Sequence, residues 1–78
     1  MRDLEKLVKE IISVIPYDEN RGLVEDLERH LDSILFTAPE IMGLRWRSVG
    51  ETLGDYISEE PINTPCWQKT VIELWTGK

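Results

Sequence analysis

The sequence is short of cysteine, of long apolar runs and of basic side chains. Cys66 is the single cysteine among 78 residues, so no disulfide can form within the chain and nothing indicates an oxidising compartment. The longest apolar run, Ile34–Phe36, is far shorter than the roughly 20 residues that cross a bilayer. The first residues also lack a secretory hydrophobic stretch, and we therefore expect a cytoplasmic protein without membrane contact.

Basic residues are outnumbered, nine against fifteen acidic ones, and the net charge is −6. This charge repels phosphate groups and attracts basic proteins, so it disfavours nucleic acid as a partner. Arg45-Trp46-Arg47 is the one cluster that mixes basic and aromatic residues, as nucleic-acid surfaces do. We expect Glu40 and Glu51 to pair with its arginines, and we predict no nucleic-acid binding.

The chain shows no catalytic motif and no set of metal ligands. His30 is the only histidine, with Glu25, Asp26 and Glu28 close by in the sequence. Two ligands on a solvated helix are too few for a structural metal, so a surface ion pair is the favoured interpretation. Cys66 is expected to be a small buried side chain. We predict no enzyme activity, no metal and no cofactor.

Apolar residues recur at the helical period along four segments, which predicts an all-α fold. The predicted architecture is a small four-helix bundle in a single domain, 1–78, with helices at about 3–15, 20–36, 38–57 and 64–76. The apolar stripe of the second helix includes Leu35, and that of the third includes Tyr56. The short connections 16–22 and 59–64 favour consecutive helices as antiparallel neighbours.

Helix ends are marked by capping residues. Asp3 is placed to cap the first helix. Thr37 and Glu40 form a predicted capping box around Pro39 at the start of the third helix. We expect the fourth helix to be capped by Asn63 or Thr64 and to end at Gly77.

The tryptophans and glycines raise questions of packing. Trp46 and Trp67 are expected in the core, whereas Trp75, in the last turn, is either core or an anchor for a partner. Three glycines on one edge of the third helix predict the close approach of a neighbouring backbone, from this chain or from a second copy. These glycines are Gly43, Gly50 and Gly54.

Two readings are open for a group of apolar residues near the junction of the second and third helices. Phe36, Ile41 and Leu44 lie off the main apolar stripes of their helices. They form an exposed apolar patch, or else the third helix is central and buried on two sides.

Acidic residues concentrate in two stretches. Residues 17–32 carry six acids and two arginines, and residues 51–60 carry four acids and no base. Charges of one sign on one helix face favour either solubility alone or a basic partner that the field attracts. The candidate partner-binding residues are Glu25, Glu28, Asp32, Glu51, Asp55, Glu59, Phe36 and Trp75.

An acidic helical chain of this size with a tryptophan-bearing last helix resembles the small bacterial immunity proteins that neutralise a nuclease toxin. The resemblance spans the whole chain and rests on architecture; the Tyr-Tyr-Pro motif of the colicin-type group is absent, so no functional residue is carried over. It implies a non-enzymatic inhibitor that occludes a basic partner surface, with a toxin as one such partner. The alternative hypothesis is a structural or regulatory homodimer.

Overall fold

The computed structural model describes residues 3–57 and 64–77, and these residues form four α-helices and one 3-10 turn. The helices are α1 (Leu4–Val14), α2 (Arg21–Leu35), α3 (Met42–Tyr56) and α4 (Cys66–Thr76), and the 3-10 turn is Pro39–Ile41. The predicted all-α four-helix fold is confirmed. The third predicted helix, 38–57, is in fact the 3-10 turn followed by α3.

Capping and proline explain the two ends of α1. The Asp3 carboxylate accepts hydrogen bonds from the backbone N–H groups of Glu5, at 3.0 Å, and Lys6, at 3.4 Å, as predicted. The helix ends at Val14 because Ile15 precedes Pro16, and a residue before proline is driven into the extended region. At the other end of the chain, Gly77 adopts the left-handed conformation, with φ of 79°, and ends α4 as expected.

The predicted capping box at Thr37 and Glu40 is wrong. The hydroxyl of Thr37 donates a hydrogen bond of 2.6 Å to the backbone carbonyl of Ser33, so it belongs to the end of α2. The same oxygen accepts a bond of 2.8 Å from Nε of Arg45 on α3. Ala38 stands before the 3-10 turn and supplies no side-chain cap. Of the two residues predicted to cap α4, Asn63 lies outside the described residues. The residue directly before α4 is Pro65, which supplies no side-chain cap.

The core is built by helix pairs that leave one side of the bundle open. Helix α2 packs against both α1 and α3, whereas α4 packs mainly against α1, which gives the spatial order α4–α1–α2–α3. The predicted adjacency of consecutive helices therefore holds for α1 with α2 and for α2 with α3, whereas α3 and α4 meet through aromatic side chains and not through closely packed backbones. The buried core residues are Leu4, Leu7, Val8, Ile11, Ile15, Leu23, Val24, Leu27, Ile34, Val49, Leu53, Ile57 and Val71.

Aromatic side chains bridge α3 and α4. The rings of Trp46 and Trp75 lie 5.3 Å apart at a tilt of 49°. Trp75 also covers Gly50, where an added Cβ would stand 3.2 Å from its Cζ2 atom. No backbone of this chain approaches the glycine edge closely, because Gly50 meets a ring and Cβ atoms at Gly43 and Gly54 would meet nothing within 4 Å; approach of a second copy stays a prediction. All three tryptophans pack on the core and are half-buried.

Three residues expected in the core are exposed. Leu35, at the end of α2, lies 100° around the helix from the buried Ile34 and falls outside the covered stripe. Tyr56 lies at the edge of the contact between α2 and α3, where its hydroxyl reaches a polar partner. Cys66 is exposed because it begins α4 on a side turned away from the buried Val71.

Candidate protein-binding surface

The predicted acidic residues are exposed but belong to two separate surfaces. Glu25, Glu28 and Asp32 are exposed on α2, and Glu51 and Asp55 are exposed on α3. Glu59 lies outside the described residues. The contact between His30 and Thr52 shows which face of α2 meets α3. The acids of α2 lie away from that face of the helix. These two groups of carboxylates are therefore not brought together.

None of these five carboxylates forms an ion pair within the described residues. The ion pairs there join Lys9 to Glu5, at 3.9 Å, and Arg29 to Asp26, at 3.0 Å. Arg45 bonds to Thr37, and the expected pairing of its cluster with Glu40 and Glu51 is wrong. The five carboxylates are thus exposed and without a cationic partner in this part of the chain.

A row of polar contacts fixes α2 against α3. Oη of Tyr56 donates a hydrogen bond of 2.9 Å to Asp26, whose other carboxylate oxygen pairs with Arg29. One helical turn further along, Nε2 of His30 and the hydroxyl of Thr52 share a bond of 2.7 Å. The predicted ion pair of His30 is wrong, because Asp26 is taken by other partners.

The bond to Asp26 changes the acidity of Tyr56. That hydrogen bond, partial burial and the negative charges of Asp26 and Asp55 raise the pKa of Tyr56 above its ordinary value of 10.0, and Arg29 opposes the rise. The phenol is thus held neutral as a hydrogen-bond donor. We did not predict this contact from the sequence, although the equal four-residue spacing of 26 and 30 on one helix and of 52 and 56 on the next is a signal for it.

Apolar side chains are exposed at the junction of α2 and α3. We call the three exposed residues Phe36, Ile41 and Leu44, which lie at the end of α2, in the 3-10 turn and at the start of α3, the apolar corner. Phe36 is 90% exposed and Leu44 is 58% exposed, so the exposed alternative for this group is the one that the structure shows. Exposed apolar side chains that form one continuous patch are typical of surfaces that bind another protein.

A groove of about 330 Å³ runs between α3 and α4, where the bundle is open. Its floor is made of buried aliphatic residues, and the ring of Trp75 forms part of one wall. The predicted anchor Trp75 therefore lies within the molecule's own surface groove and does not project from it. The lining residues are Gly50, Leu53, Gly54, Ile57, Val71, Ile72, Trp75 and Thr76.

A second groove, of about 630 Å³, lies where α1 begins and α2 meets α3. Its polar groups already have partners within the chain, because Asp3 caps α1 and Glu5 pairs with Lys9. The remaining lining is Leu4, Ile34, Pro39, Met42, Gly43 and Trp46. This groove therefore offers an apolar surface with little free charge.

Within residues 3–57 and 64–77, no group of three or more histidine, cysteine, aspartate or glutamate side chains is placed to hold a metal ion. No helix in this part of the chain is long and apolar enough to cross a membrane. Comparisons with protein-family models, curated proteins and solved structures find no match to the chain.

Proposed function

We propose that this protein is a non-enzymatic protein-binding module of the cytosol, of the inhibitor or immunity type, which occludes a basic surface of its partner. One observation carries the proposal: Phe36, which is 90% exposed at the end of α2, follows the exposed Asp32 by about one helical turn, and Asp32 has no ion pair among the described residues. Protein interfaces commonly combine an apolar centre with a charged rim of this kind.

Phe36 and the acids of α2 are close enough to act on one partner. Phe36 follows Asp32 by four residues, and Asp32 follows Glu28 by four, so the three lie along one outward line of α2 and its C-terminal end. Carboxylates steer a basic partner during the encounter, and a buried aromatic ring then slows its dissociation. The proposed mechanism is steric and electrostatic occlusion, for which no reacting group is needed.

The test begins with affinity capture of the tagged protein from its native host at low and at raised salt, with mass spectrometry of any retained protein. We expect one stoichiometric basic protein that is lost as salt rises. Neutralising the exposed acids of α2, Glu25, Glu28 and Asp32, together is expected to slow association with that protein and to flatten its salt dependence. The matched control neutralises three acids elsewhere in the chain, Glu10, Asp18 and Glu19. Association rates that are unchanged, or changed equally in both variants, contradict the proposal.

The apolar corner also favours the alternative function, a structural or regulatory homodimer. Two corners packed about a two-fold axis would cover Phe36 and Leu44 of both copies. Sedimentation velocity at micromolar concentration tests this alternative. A dimer that the Phe36→Ser substitution converts to monomer supports self-association through the corner, and a wild-type monomer argues against it.

A further inference from the structure

We propose that one outer face of the α2–α3 pair is the docking site for a basic segment of the partner that carries its apolar residues at one end. This inference rests on the proposed function in one respect, that the partner is a basic protein. It adds α3 as the second helix of the binding surface, and it adds the lengthwise order of the bound segment.

Polar contacts between α2 and α3 mark the line along which the two helices meet. The residues of α2 in these contacts rise in number along the line while those of α3 fall, so the helices are antiparallel. We call this line the seam, and its three pairs are Asp26 with Tyr56, His30 with Thr52, and Thr37 with Arg45.

The two sides of the seam have different environments. One residue turns an α-helix by about 100°, so the residues before and after a seam residue lie on opposite sides of it. For five of the six seam residues, the next residue is buried or packs on the core; these are Leu27, Leu31, Trp46, Leu53 and Ile57. The residues that precede the seam residues are all exposed; they are Glu25, Arg29, Phe36, Leu44, Glu51 and Asp55. Since the core lies on the same side of the seam for both helices, these exposed residues share the other side, which we call the outer face.

Each helix contributes one straight line of residues to the outer face. Residues 25, 29, 32 and 36 and residues 44, 48, 51 and 55 both follow the spacing i, i+4, i+7 and i+11, which keeps each set on one line of its helix. The lines begin at the helix junction with Phe36 and Leu44, and they end with Glu25 and Asp55. Because the helices are antiparallel, the outer face is apolar at one end and acidic at the other, over about 16 Å at the helical rise per residue.

The charges of the outer face are ordered along its length. Arg29 lies on the α2 line, but the carboxylate of Asp26 offsets its charge at 3.0 Å. Arg45 is half-buried at the apolar end of the seam. A cation at that end and carboxylates toward the other favour a segment whose basic residues lie over the acidic end. The carboxylates of the two lines, which have no ion pair with any described residue, are Glu25, Asp32, Glu51 and Asp55.

Small side chains lie between the two lines at the middle of the outer face. Ser48 stands on the α3 line, and Ser33 lies on α2 between His30 and Phe36; both are half-buried. The hydroxyl of Ser48 donates to the carbonyl of Leu44 at 2.9 Å and so folds back on its own helix. A bound segment can therefore lie along the seam, where it reaches the carboxylates of both helices at once.

This charge pattern favours a basic segment over a second copy of the chain. Two copies stacked over the whole outer face either bring their acidic ends together or place each acidic end on the other copy's apolar end. The net charge of −6 on each copy adds repulsion. A basic segment with an apolar end satisfies both ends of the face.

The first experiment titrates the ¹⁵N-labelled protein with a synthetic peptide of about 12 residues, which spans about 16 Å in helical or extended form. Leucines occupy its first half and lysines its second half, and a control peptide of the same composition alternates them. A nitroxide at the leucine end is expected to broaden the amide signals of Phe36 and Leu44, and one at the lysine end those of Glu25 and Asp55. Broadening on one helix alone, the reverse order, or equal binding of the control peptide overturns the proposal. Shifts of the same signals when the unbound protein is concentrated show a second copy on the face, which also overturns it.

Two pairs of exposed acids provide matched variants. Glu25→Gln with Asp55→Asn removes one charge from each line at the acidic end of the outer face. The control, Glu28→Gln with Glu73→Gln, removes the same net charge from the side of α2 away from the seam and from α4. We expect the first variant to weaken binding of the leucine–lysine peptide by about fivefold and the control by less than about twofold. Equal losses would show attraction by net charge alone and overturn the proposal. Circular dichroism verifies that both variants are folded.

Variants of the two lines separate this proposal from the proposed function once a basic partner is in hand. Glu25→Gln with Asp32→Asn changes the α2 line, and Glu51→Gln with Asp55→Asn changes the α3 line. Weaker partner binding in both variants supports both proposals. Weaker binding in the α2 variant alone contradicts docking across the seam and leaves the binding function standing. Unchanged binding in both variants contradicts both.

Discussion

Alanine substitutions at Gly54 and Gly50 of α3 should have different consequences for stability. At Gly54 an added methyl group enters open space, and at Gly50 it stands 3.2 Å from Cζ2 of Trp75. Carbon atoms in contact prefer about 3.5 to 4.0 Å, so the ring of Trp75 must move when Gly50 becomes alanine. The two substitutions remove the same conformational freedom from the unfolded chain and differ in what the new methyl group meets.

The magnitudes follow from helix propensity and from the tryptophan pair. Gly54→Ala should raise the free energy of unfolding by about 0.5 to 1 kcal/mol, with the lower value applying because Gly54 is in the last turn. That gain corresponds to about 2 to 8 °C in Tm for a domain of this size. Gly50→Ala brings the same gain in helix propensity, but it displaces the ring of Trp75. That ring pairs with Trp46 at 5.3 Å, a contact that contributes about 0.5 to 1.5 kcal/mol. We expect a net change near zero or below.

Urea denaturation followed by far-ultraviolet circular dichroism measures both variants without relying on tryptophan emission, which the Gly50 variant itself disturbs. The control is the double variant Gly50→Ala with Trp75→Leu, compared with Trp75→Leu alone. Without the indole ring, Gly50→Ala should be as stabilising as Gly54→Ala, and the difference between the two backgrounds measures the coupling. The reasoning is refuted if Gly50→Ala stabilises the wild-type protein as much as Gly54→Ala does.

Three further outcomes are expected. The hydrogen bond to Asp26 raises the pKa of Tyr56, so the bond's contribution to stability is complete below about pH 10 and is lost as the pH rises through the raised pKa. Asp26→Ala should lower the pKa of Tyr56 in an ultraviolet titration. An unchanged titration speaks against this bond. Asp3→Ala removes the α1 cap and should cost about 1 kcal/mol in urea denaturation, whereas Asp3→Asn should retain most of it. Phe36→Ser should change the free energy of unfolding by less than about 0.5 kcal/mol, since the ring is 90% exposed; a larger loss would place Phe36 in the core.

Local sequence signals predicted the helices well because these signals act within a few residues. The cap at Asp3, the stop at Pro16 and the left-handed Gly77 each satisfy or interrupt backbone hydrogen bonds of their own helix. The same kind of signal failed at Thr37, where a hydroxyl has two possible uses. The hydroxyl of Thr37 donates to the carbonyl of Ser33 and accepts from Nε of Arg45. The sequence does not indicate whether this hydroxyl bonds to the end of α2 or caps the next helix.

The candidate site was predicted only in part. The acids of α2 and α3 are exposed, as a helical face of charged residues should be. For Phe36 the sequence leaves both an exposed patch and a buried contact open. The groove between α3 and α4 was not foreseen. A short connection favours neighbouring helices, but α4 packs mainly against α1 and reaches α3 through the ring of Trp75. A groove therefore remains between the backbones of α3 and α4.

The sequence by itself determined the helical period, the acidic surplus and most of the buried residues, because apolar spacing and charge count need no knowledge of neighbours. Only the tertiary structure decided which helices meet. In it Tyr56 is hydrogen-bonded to Asp26, and His30 to Thr52. Leu35 is left outside the core, and Trp75 packs over Gly50. The physical reason is that an amphipathic stripe specifies that a face must be covered, while the packing of all four helices specifies what covers it and which apolar surface remains for a partner.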